Sequence, residues 1–232
     1  EQVAAAGLVS THYVNVVNRA ALVAPFCGTD ARFATNPYCC AVPVPGGEPL
    51  VLDMATSMIA MGKVRVAHNK GVKTPAGALI DNRGRPTDDP GVMYREPIGA
   101  IRAFGEHKGY GLAVVCEVLA GALTGGVTLH EDTQTRDVIT NNMLSVIIDP
   151  AALGGAQSWV KEMKATMAYI KASPPAEGVS GVLMPGEPER ARIRDRKQKG
   201  IPVDGVTWAE VCAASVTAGM GQGDFARMAG MI

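Results

Sequence analysis

Three short strings in this 232-residue chain hold residue types whose spacing can do chemistry. The first is Leu52-Asp53-Met54-Ala55-Thr56-Ser57. An apolar run delivers an acid at its end, and small hydroxyl residues follow where a helix is predicted to start. The free N–H groups of a helix start suit a phosphate or carboxylate, and Thr56 and Ser57 can add hydroxyl donors. The same residue types are equally explained if Asp53 or Thr56 only caps that helix. The second string is Gly105-Glu106-His107-Lys108-Gly109-Tyr110-Gly111. Its glycines allow backbone to approach a ligand closely. Lys108 falls just ahead of a predicted helix, where the macrodipole disfavours a cation; an anion bound there removes the conflict. A glycine turn with a solvated lysine is the alternative. Neither a P-loop nor GxGxxG is present. The third is Pro185-Gly186-Glu187-Pro188-Glu189, a fixed turn in which Glu187 can accept hydrogen bonds from ribose hydroxyls. Acids at a helix N-terminus are also favoured for the dipole alone.

The remaining polar residues exclude several chemistries. The histidines are His12, His68, His107 and His130, and only His107 falls in a candidate site. His12 reads as a partly buried strand residue, His68 and His130 as surface. None has Cys or Glu at zinc-ligand spacing, so no metal site is expected. No Ser-His-Asp or Cys-His arrangement supports a nucleophile. The five cysteines include no CxxC pair, and vicinal Cys39 and Cys40 in a strand point to opposite faces. Reduced, mostly buried thiols and a cytoplasmic protein are expected. Lys+Arg and Asp+Glu are both 22, so no basic face for nucleic acid or an anionic membrane is implied. No apolar run of membrane-spanning length occurs, nor a secretory leader.

These strings need a scaffold. Hydrophobic residues make up 47% and aromatics only 5%, so the core must be built from aliphatic residues and Met. β-branched alternation predicts strands over 8–17 and 38–44. The turn Val44-Pro45-Gly46-Gly47-Glu48 leads to a third, fully apolar and therefore central strand at 50–52, closed by Asp53. A helix is expected over 55–68, then an irregular surface excursion over 70–90 with Asp81-Asn82-Arg83-Gly84 as a hairpin tip. The clearest helix is 110–123, stopped by Gly125-Gly126. Further on come a buried strand at 143–148, a helix over 159–171, a short strand at 181–184 and a charged helix over Glu187–Lys199. A last helix over 207–218 opens on a Thr207/Glu210 capping box, and a loose tail starts at Gly219. Thr35-Asn36-Pro37 reads as a tight turn. Residues 1–7 read as the end of a helix with Gly7 as its C′ residue, so further chain upstream is expected. Strands and helices mix without strict βαβ alternation, which favours an α/β fold with a mixed sheet flanked by helices.

Taken in order, the motifs resemble the malate/L-lactate dehydrogenase family, which is unrelated to the Rossmann-type enzymes of similar name. The resemblance rests on Ala24-Pro25-Phe26 with Gly28, Thr35-Asn36-Pro37, Val51-Leu52-Asp53-Met54-Ala55-Thr56-Ser57 and Gly62-Lys63-Val64. It continues with Gly84-Arg85-Pro86-Thr87-Asp88-Asp89-Pro90, His107-Lys108-Gly109-Tyr110-Gly111-Leu112, Leu119-Ala120-Gly121, Pro185-Gly186-Glu187 and Gly200-Ile201-Pro202. Tyr13-Val14-Asn15-Val16-Val17 and Ala67-His68-Asn69-Lys70-Gly71 are most similar to the hydroxycarboxylate dehydrogenase branch.

The resemblance implies a layered, non-Rossmann NAD(P)-binding fold and a single α/β region over 1–232 of a longer enzyme. It implies interconversion of a 2-hydroxy acid and a 2-oxo acid with NAD or NADP, or the analogous reduction of a cyclic imino acid, in a homodimer. A truncated nucleotide-binding paralogue without catalysis is the other reading. Carried over by position, Asp53, Met54, Ala55, Thr56 and Ser57 match one cofactor-binding segment. His107 and Lys108 match a second, and Gly186, Glu187 and Pro188 a third. The family's Ser-His-Gly histidine and its substrate-gripping arginine have no counterpart here. The resemblance therefore places the acid/base histidine upstream of Glu1 and assigns no catalytic residue within the sequence. Arg19 stands where the family carries a small hydroxyl residue.

Overall fold

A computed structural model describes residues 1–17, 20–134, 138–221, 223–228 and 230; Arg19 thus lies outside the described residues. The chain opens with α1 (Gln2–Ala5), which ends in a left-handed Gly7 (φ 81°). Three strands follow: β1 (Val9–Val17), β2 (Tyr38–Val42) and β3 (Leu50–Met54). After α2 (Met61–Lys70) come the two-residue strands β4 (Leu79–Ile80), β5 (Pro86–Thr87) and β6 (Ala100–Ile101). Then follow α3 (His107–Cys116), a π-helical continuation over Glu117–Leu123, and β7 (Thr140–Ile148). The C-terminal part is helical: α4 (Pro150–Gly154), α5 (Ala156–Lys171), α6 (Glu187–Lys199), α7 (Gly205–Thr217) and α8 (Asp224–Met228).

Two sheets organise these elements, in the orders β3-β2-β1-β7 and β5-β4-β6. The α/β architecture with flanking helices is the one the sequence implies. In detail, every strand ladder is antiparallel, and the parallel pairing among the described residues is the isolated bridge between Val23 and Ile101. The β2–β3 connection is the expected tight turn, closed by Gly47 N–H on the Val44 carbonyl.

β3 is an edge strand, however, and not a central one. The tight turn pairs β3 with β2, and β1 occupies the other side of β2. An apolar run is therefore no proof of burial: Leu50 and Val51 are half-buried and Leu52 is exposed. Its outer edge is met by the 181–185 stretch, which forms no strand and gives one hydrogen bond, Val51 N–H to the Pro185 carbonyl at 3.2 Å. β7 is the opposite edge. It was expected to be buried from its apolar sequence, but Met143 and Ile147 are 58% and 54% exposed because β1 alone pairs with it.

The core lies under the short sheet. Leu22, Val23, Ile59, Val64, Ala78, Leu79, Met93 and Ile101 form one buried cluster. The 70–90 region is therefore no surface excursion: Asn82 and Arg83 at the tip of its Asp81–Gly84 turn are exposed, but Ala78 and Leu79 are fully buried at its root. The α5 helix faces the long sheet across an apolar cleft of about 780 Å³ lined by Val9, Leu50, Ile148, Trp159 and Met163. α7 docks on α2 through Arg65 and Asn69, which reach Glu210 at 3.0 and 3.4 Å. Glu210 is thus not half of a capping box; Asp204 caps α7, accepting from Thr207 N–H at 2.9 Å. The tail is not loose throughout, since Phe225 of α8 packs on Trp208 at 5.4 Å. All five thiols are free, but only Cys116 is buried; Cys27 is exposed and the others are half-buried. No helix among the described residues is long and apolar enough to cross a membrane.

Candidate functional site

The first string is set by the β2–β3 hairpin and departs from its expected geometry. The 55–68 helix begins only at Met61, so Thr56 and Ser57 do not open a helix and neither Asp53 nor Thr56 caps one. Tertiary bonds hold the chain instead. Thr56 N–H donates to the Thr35 carbonyl, and Met58 N–H to that of Arg102. Thr56 Oγ1 lies 3.0 Å from the carbonyls of both Thr35 and Asn36, and Ser57 Oγ donates to Ile59 O. Both hydroxyls are buried and engaged within the chain, so they are not free donors. Met54 and Ala55 are half-buried between them and Asp53, which is exposed.

Asp53 points the string towards the third one. It lines a cleft of about 810 Å³ together with His12, Cys39, Met184, Gly186, Pro188 and Arg190. Two features of the sequence produce this meeting. The Val51–Pro185 bond brings the 181–185 stretch to the β3 edge, and Arg190 Nη1 in the first turns of α6 donates to Pro49 O at 3.1 Å. Gly186 turns the chain into α6 at φ 92°, a conformation that strains any residue with a side chain, and a Cβ there would have to displace the guanidinium end of Arg190, 2.7 Å away. Burial pushes the Cys39 thiol up, and Asp53, its register partner across the ladder, adds to the shift. Glu187 is outside the cleft lining. Lys171 Nζ and Met184 N–H both donate to its carboxylate at 2.9 Å, and the lysine chiefly holds its pKa below the usual range.

The second string meets the first at its other end. Phe104 N–H donates to the Thr56 carbonyl, and Ser57 pairs with Ala103. The helix starts three residues earlier than expected, at His107, so His107 and Lys108 form its first turn and Gly109 lies inside it. Gly109 is required there: a Cβ would lie 2.1 Å from the Phe104 carbonyl oxygen. His107 is exposed and edge-on to Phe26 at 5.8 Å; Lys108 N–H donates to the Gly105 carbonyl, while no hydrogen bond or ion pair engages its ammonium among the described residues. The 53–57 segment is thus the hinge piece of the arrangement. Its acid faces Gly186 and Pro188, and its buried hydroxyl end seats the chain that leads into His107.

Residue-type reasoning missed the polar support beneath this arrangement. Glu117 is buried on the π-helical turn, where it accepts from Asn15 Nδ2, Asn36 Nδ2 and Leu129 N–H. Asn36 is fully buried at φ 28°, with its Oδ1 unpartnered. A signal was present: Glu117 shares a helix face with Ala113, Ala120 and Gly121, where an acid has no solvent. Among the described residues no group of three or more His, Cys, Asp or Glu is placed to hold a metal ion.

Comparison with known proteins matches residues 1–212 to the malate/L-lactate dehydrogenase family model. The chain belongs to the malate/L-lactate dehydrogenase family. Hydroxycarboxylate dehydrogenase B of Escherichia coli K12 is 48% identical over 95% of this chain and 61% of its own length. An L-lactate dehydrogenase of Cupriavidus necator is 47% identical over 82% of this chain and 55% of its own. A solved E. coli structure, provisionally described as a malate/lactate dehydrogenase, superposes with a TM-score of 0.87 at 46% identity, over 95% of this chain and 62% of that one. This member of the family therefore spans about three fifths of the length of the relatives it matches.

Proposed function

We propose that the chain is the cofactor-binding body of an NAD(P)-dependent oxidoreductase that interconverts a 2-hydroxy acid and a 2-oxo acid. One observation carries the reading: Asp53 and the Gly186–Pro188 turn, remote in sequence, line one large cleft in a chain of this family. In this reading a dinucleotide meets the cleft at a turn whose positive φ favours glycine. Gly186 leaves bare backbone beside Arg190, the arrangement that lets a phosphate or ribose approach closely. In this reading Asp53, Gly186 and Pro188 hold one part of NAD or NADP, with Glu187 directing the turn. His107 and Lys108 hold another part, the uncommitted ammonium meeting negative charge at the start of α3. Met54 and Ala55 form the wall between, and Thr56 and Ser57 fix it from below. Bound there, the nicotinamide supplies or takes the hydride exchanged with the substrate's carbonyl carbon.

The reading gives the chain the cradle and not the proton donor. His12 is bonded to Ser10 and Ser145, and His68 is stacked on Tyr94 at 4.3 Å. His130 joins a local cap with Thr133, and His107 lies against Phe26. The proton for the carbonyl oxygen then comes from a histidine outside these 232 residues, in a cytoplasmic homodimer acting on small 2-oxo and 2-hydroxy acids. Titration with NADH and with NADPH, followed by nicotinamide fluorescence, tests the cradle; binding of neither overturns it. Assays with pyruvate, oxaloacetate and a cyclic imino acid test the rest. Saturable cofactor binding without turnover is expected, and turnover would move the proton donor into this chain.

A further inference from the structure

A second cleft, of about 320 Å³, includes none of the ten cofactor-segment residues. One wall is the 25–29 turn, closed by Gly28 N–H on the Pro25 carbonyl at 2.9 Å. The other is the β4–β5 hairpin tip with Arg83 and Gly84; Ile80 and Ala103 form an aliphatic floor, and Arg102 completes the lining. The walls are close-fitted: a Cβ on Gly84 would lie 3.1 Å from Thr29 Cγ2.

Three observations point to an occupant. The first is backbone strain. Cys27 (φ 66°) and Glu106 (φ 55°) line this cleft, and among the described residues only Asn36 joins them as a non-glycine at positive φ. Such conformations cost energy and cluster where ligands are held. The second is charge. Arg102 is oriented by its Nη1 bond to the Gly77 carbonyl at 3.0 Å, and its Nη2 stands 3.6 Å from Glu106, too far for a saturating hydrogen bond. Arg83 is pinned through its backbone N–H to Asp81 Oδ1, while its guanidinium engages no carboxylate or carbonyl among the described residues. Two guanidiniums against one carboxylate leave the cleft with excess positive charge over an apolar floor. The third is position: Phe26 on the wall is the ring that packs on His107, so the cleft opens beside the second cofactor segment.

We propose that this cleft binds the carboxylate of a small organic acid, with Arg83 and Arg102 as its guanidinium grip and the aliphatic floor under its short carbon chain. This inference rests on the dehydrogenase reading for its choice of a 2-oxo acid. Guanidinium is the side chain best matched to a planar carboxylate. Glu106 competes for Arg102 and limits the affinity of the site.

The probe is oxamate, a non-reducible analogue of a 2-oxo acid, titrated into the 232-residue chain with and without NADH by calorimetry or ligand-observed NMR. Arg83→Gln and Arg102→Gln should each weaken oxamate at least tenfold, and Glu106→Gln should tighten it. Arg83 lies on an exposed tip, so its variant carries the test if Arg102→Gln fails to fold. No oxamate binding by the unaltered chain, or an unchanged Kd in Arg83→Gln, overturns the proposal. Inorganic phosphate binding in place of oxamate, with the same arginine dependence, also overturns it and makes the cleft a seat for a cofactor phosphate. The NADH titration is read separately. Failure to bind NADH sinks the cofactor cradle, and arginine-dependent oxamate binding without it leaves the acid site standing.

Discussion

Asn36 Nδ2 donates to Glu117 Oε2 across 2.6 Å, joining a left-handed turn to a π-helical one where neither side chain meets solvent. Asn36 also offers its carbonyl to the buried Thr56 hydroxyl. The buried end of the 53–57 segment thus rests, through two hydrogen bonds, on a carboxylate that has no cationic partner among the described residues. Three N–H donors satisfy that carboxylate, from Asn15, Asn36 and Leu129.

Replacing the carboxylate leaves those donors unpaired in the interior. Glu117→Ala should lower stability by roughly 3 kcal/mol or more, since each buried orphan donor costs about 1–3 kcal/mol. For a chain of this size that is a fall in Tm of about 6–12 °C. Glu117→Gln should cost less: its amide oxygen keeps two donors and only the Asn36 contact becomes donor against donor. Urea unfolding of the three proteins checks the order, with a common slope showing that stability alone has changed.

Gly109→Ala should disable the His107-Lys108 turn. The added Cβ meets the Phe104 carbonyl at 2.1 Å, a backbone atom that cannot swing away. Overpacking of this kind costs about 1–3 kcal/mol. The loss should appear in NADH affinity as well as in Tm, because relief requires displacing the Phe104 backbone that bonds Thr56. Gly111→Ala, where a Cβ meets nothing within 4 Å, is the matched control and should leave both readings near those of the unaltered chain.

Glu187→Gln separates a structural role from a ligand role. The Lys171–Glu187 pair is partly exposed, with side chains 43% and 31% accessible, so breaking it should cost less than about 1 kcal/mol. If Glu187 accepts from ribose hydroxyls, cofactor affinity should fall about tenfold, the size of one charged hydrogen bond. A changed Tm with unchanged NADH affinity would reduce Glu187 to a helix-start partner of Lys171.

Stability should plateau around neutral pH and fall on both sides. Four carboxyls are held below their ordinary values: Asp81 by the Arg85 side chain, Asp89 by Gly91 N–H, Glu187 by Lys171 and Asp204 by Thr207 N–H. A depressed folded pKa contributes stability above the unfolded value, near 4, and loses it as the pH falls through the folded one. Burial raises Cys39, Cys116 and Tyr38. Their contribution is intact below the unfolded thiol value of about 8.5 and is lost as pH rises through the folded values. Thermal melts from pH 3 to 10 should show both arms, and Cys116→Ala should flatten part of the alkaline one.

The sequence was most legible where local rules decide. Glu187–Lys199 is a helix with the boundaries its charges and flanking glycines suggest, and Gly7 ends a helix in the left-handed conformation expected of it. The errors share one physical cause. Thr56 looked like a helix cap because its partners, Thr35 and Asn36, lie about twenty residues away and no local window contains them. Leu50–Leu52 looked central because apolar character records burial without saying which element supplies it. Leu79 was hidden in a polar, turn-rich stretch because two residues suffice for a strand once β5 and β6 flank it. In the site, Asp53 and Gly186 were singled out separately by their residue types. Their shared cleft depends on two long-range bonds, from Val51 to Pro185 and from Arg190 to Pro49, that no spacing rule encodes.

The open edge of β7 governs how this protein must be handled. Among the described residues β1 is the one strand that pairs with β7, and Met143, Val146 and Ile147 are exposed along it, a template on which another molecule can add a strand. Positive and negative side chains balance at 22 each, so at neutral pH no net repulsion keeps two copies apart. Concentrated solutions should therefore cloud most readily near pH 7 and clear when the buffer is moved a unit or two away, and a single Val146→Lys change on the strand should widen the soluble range.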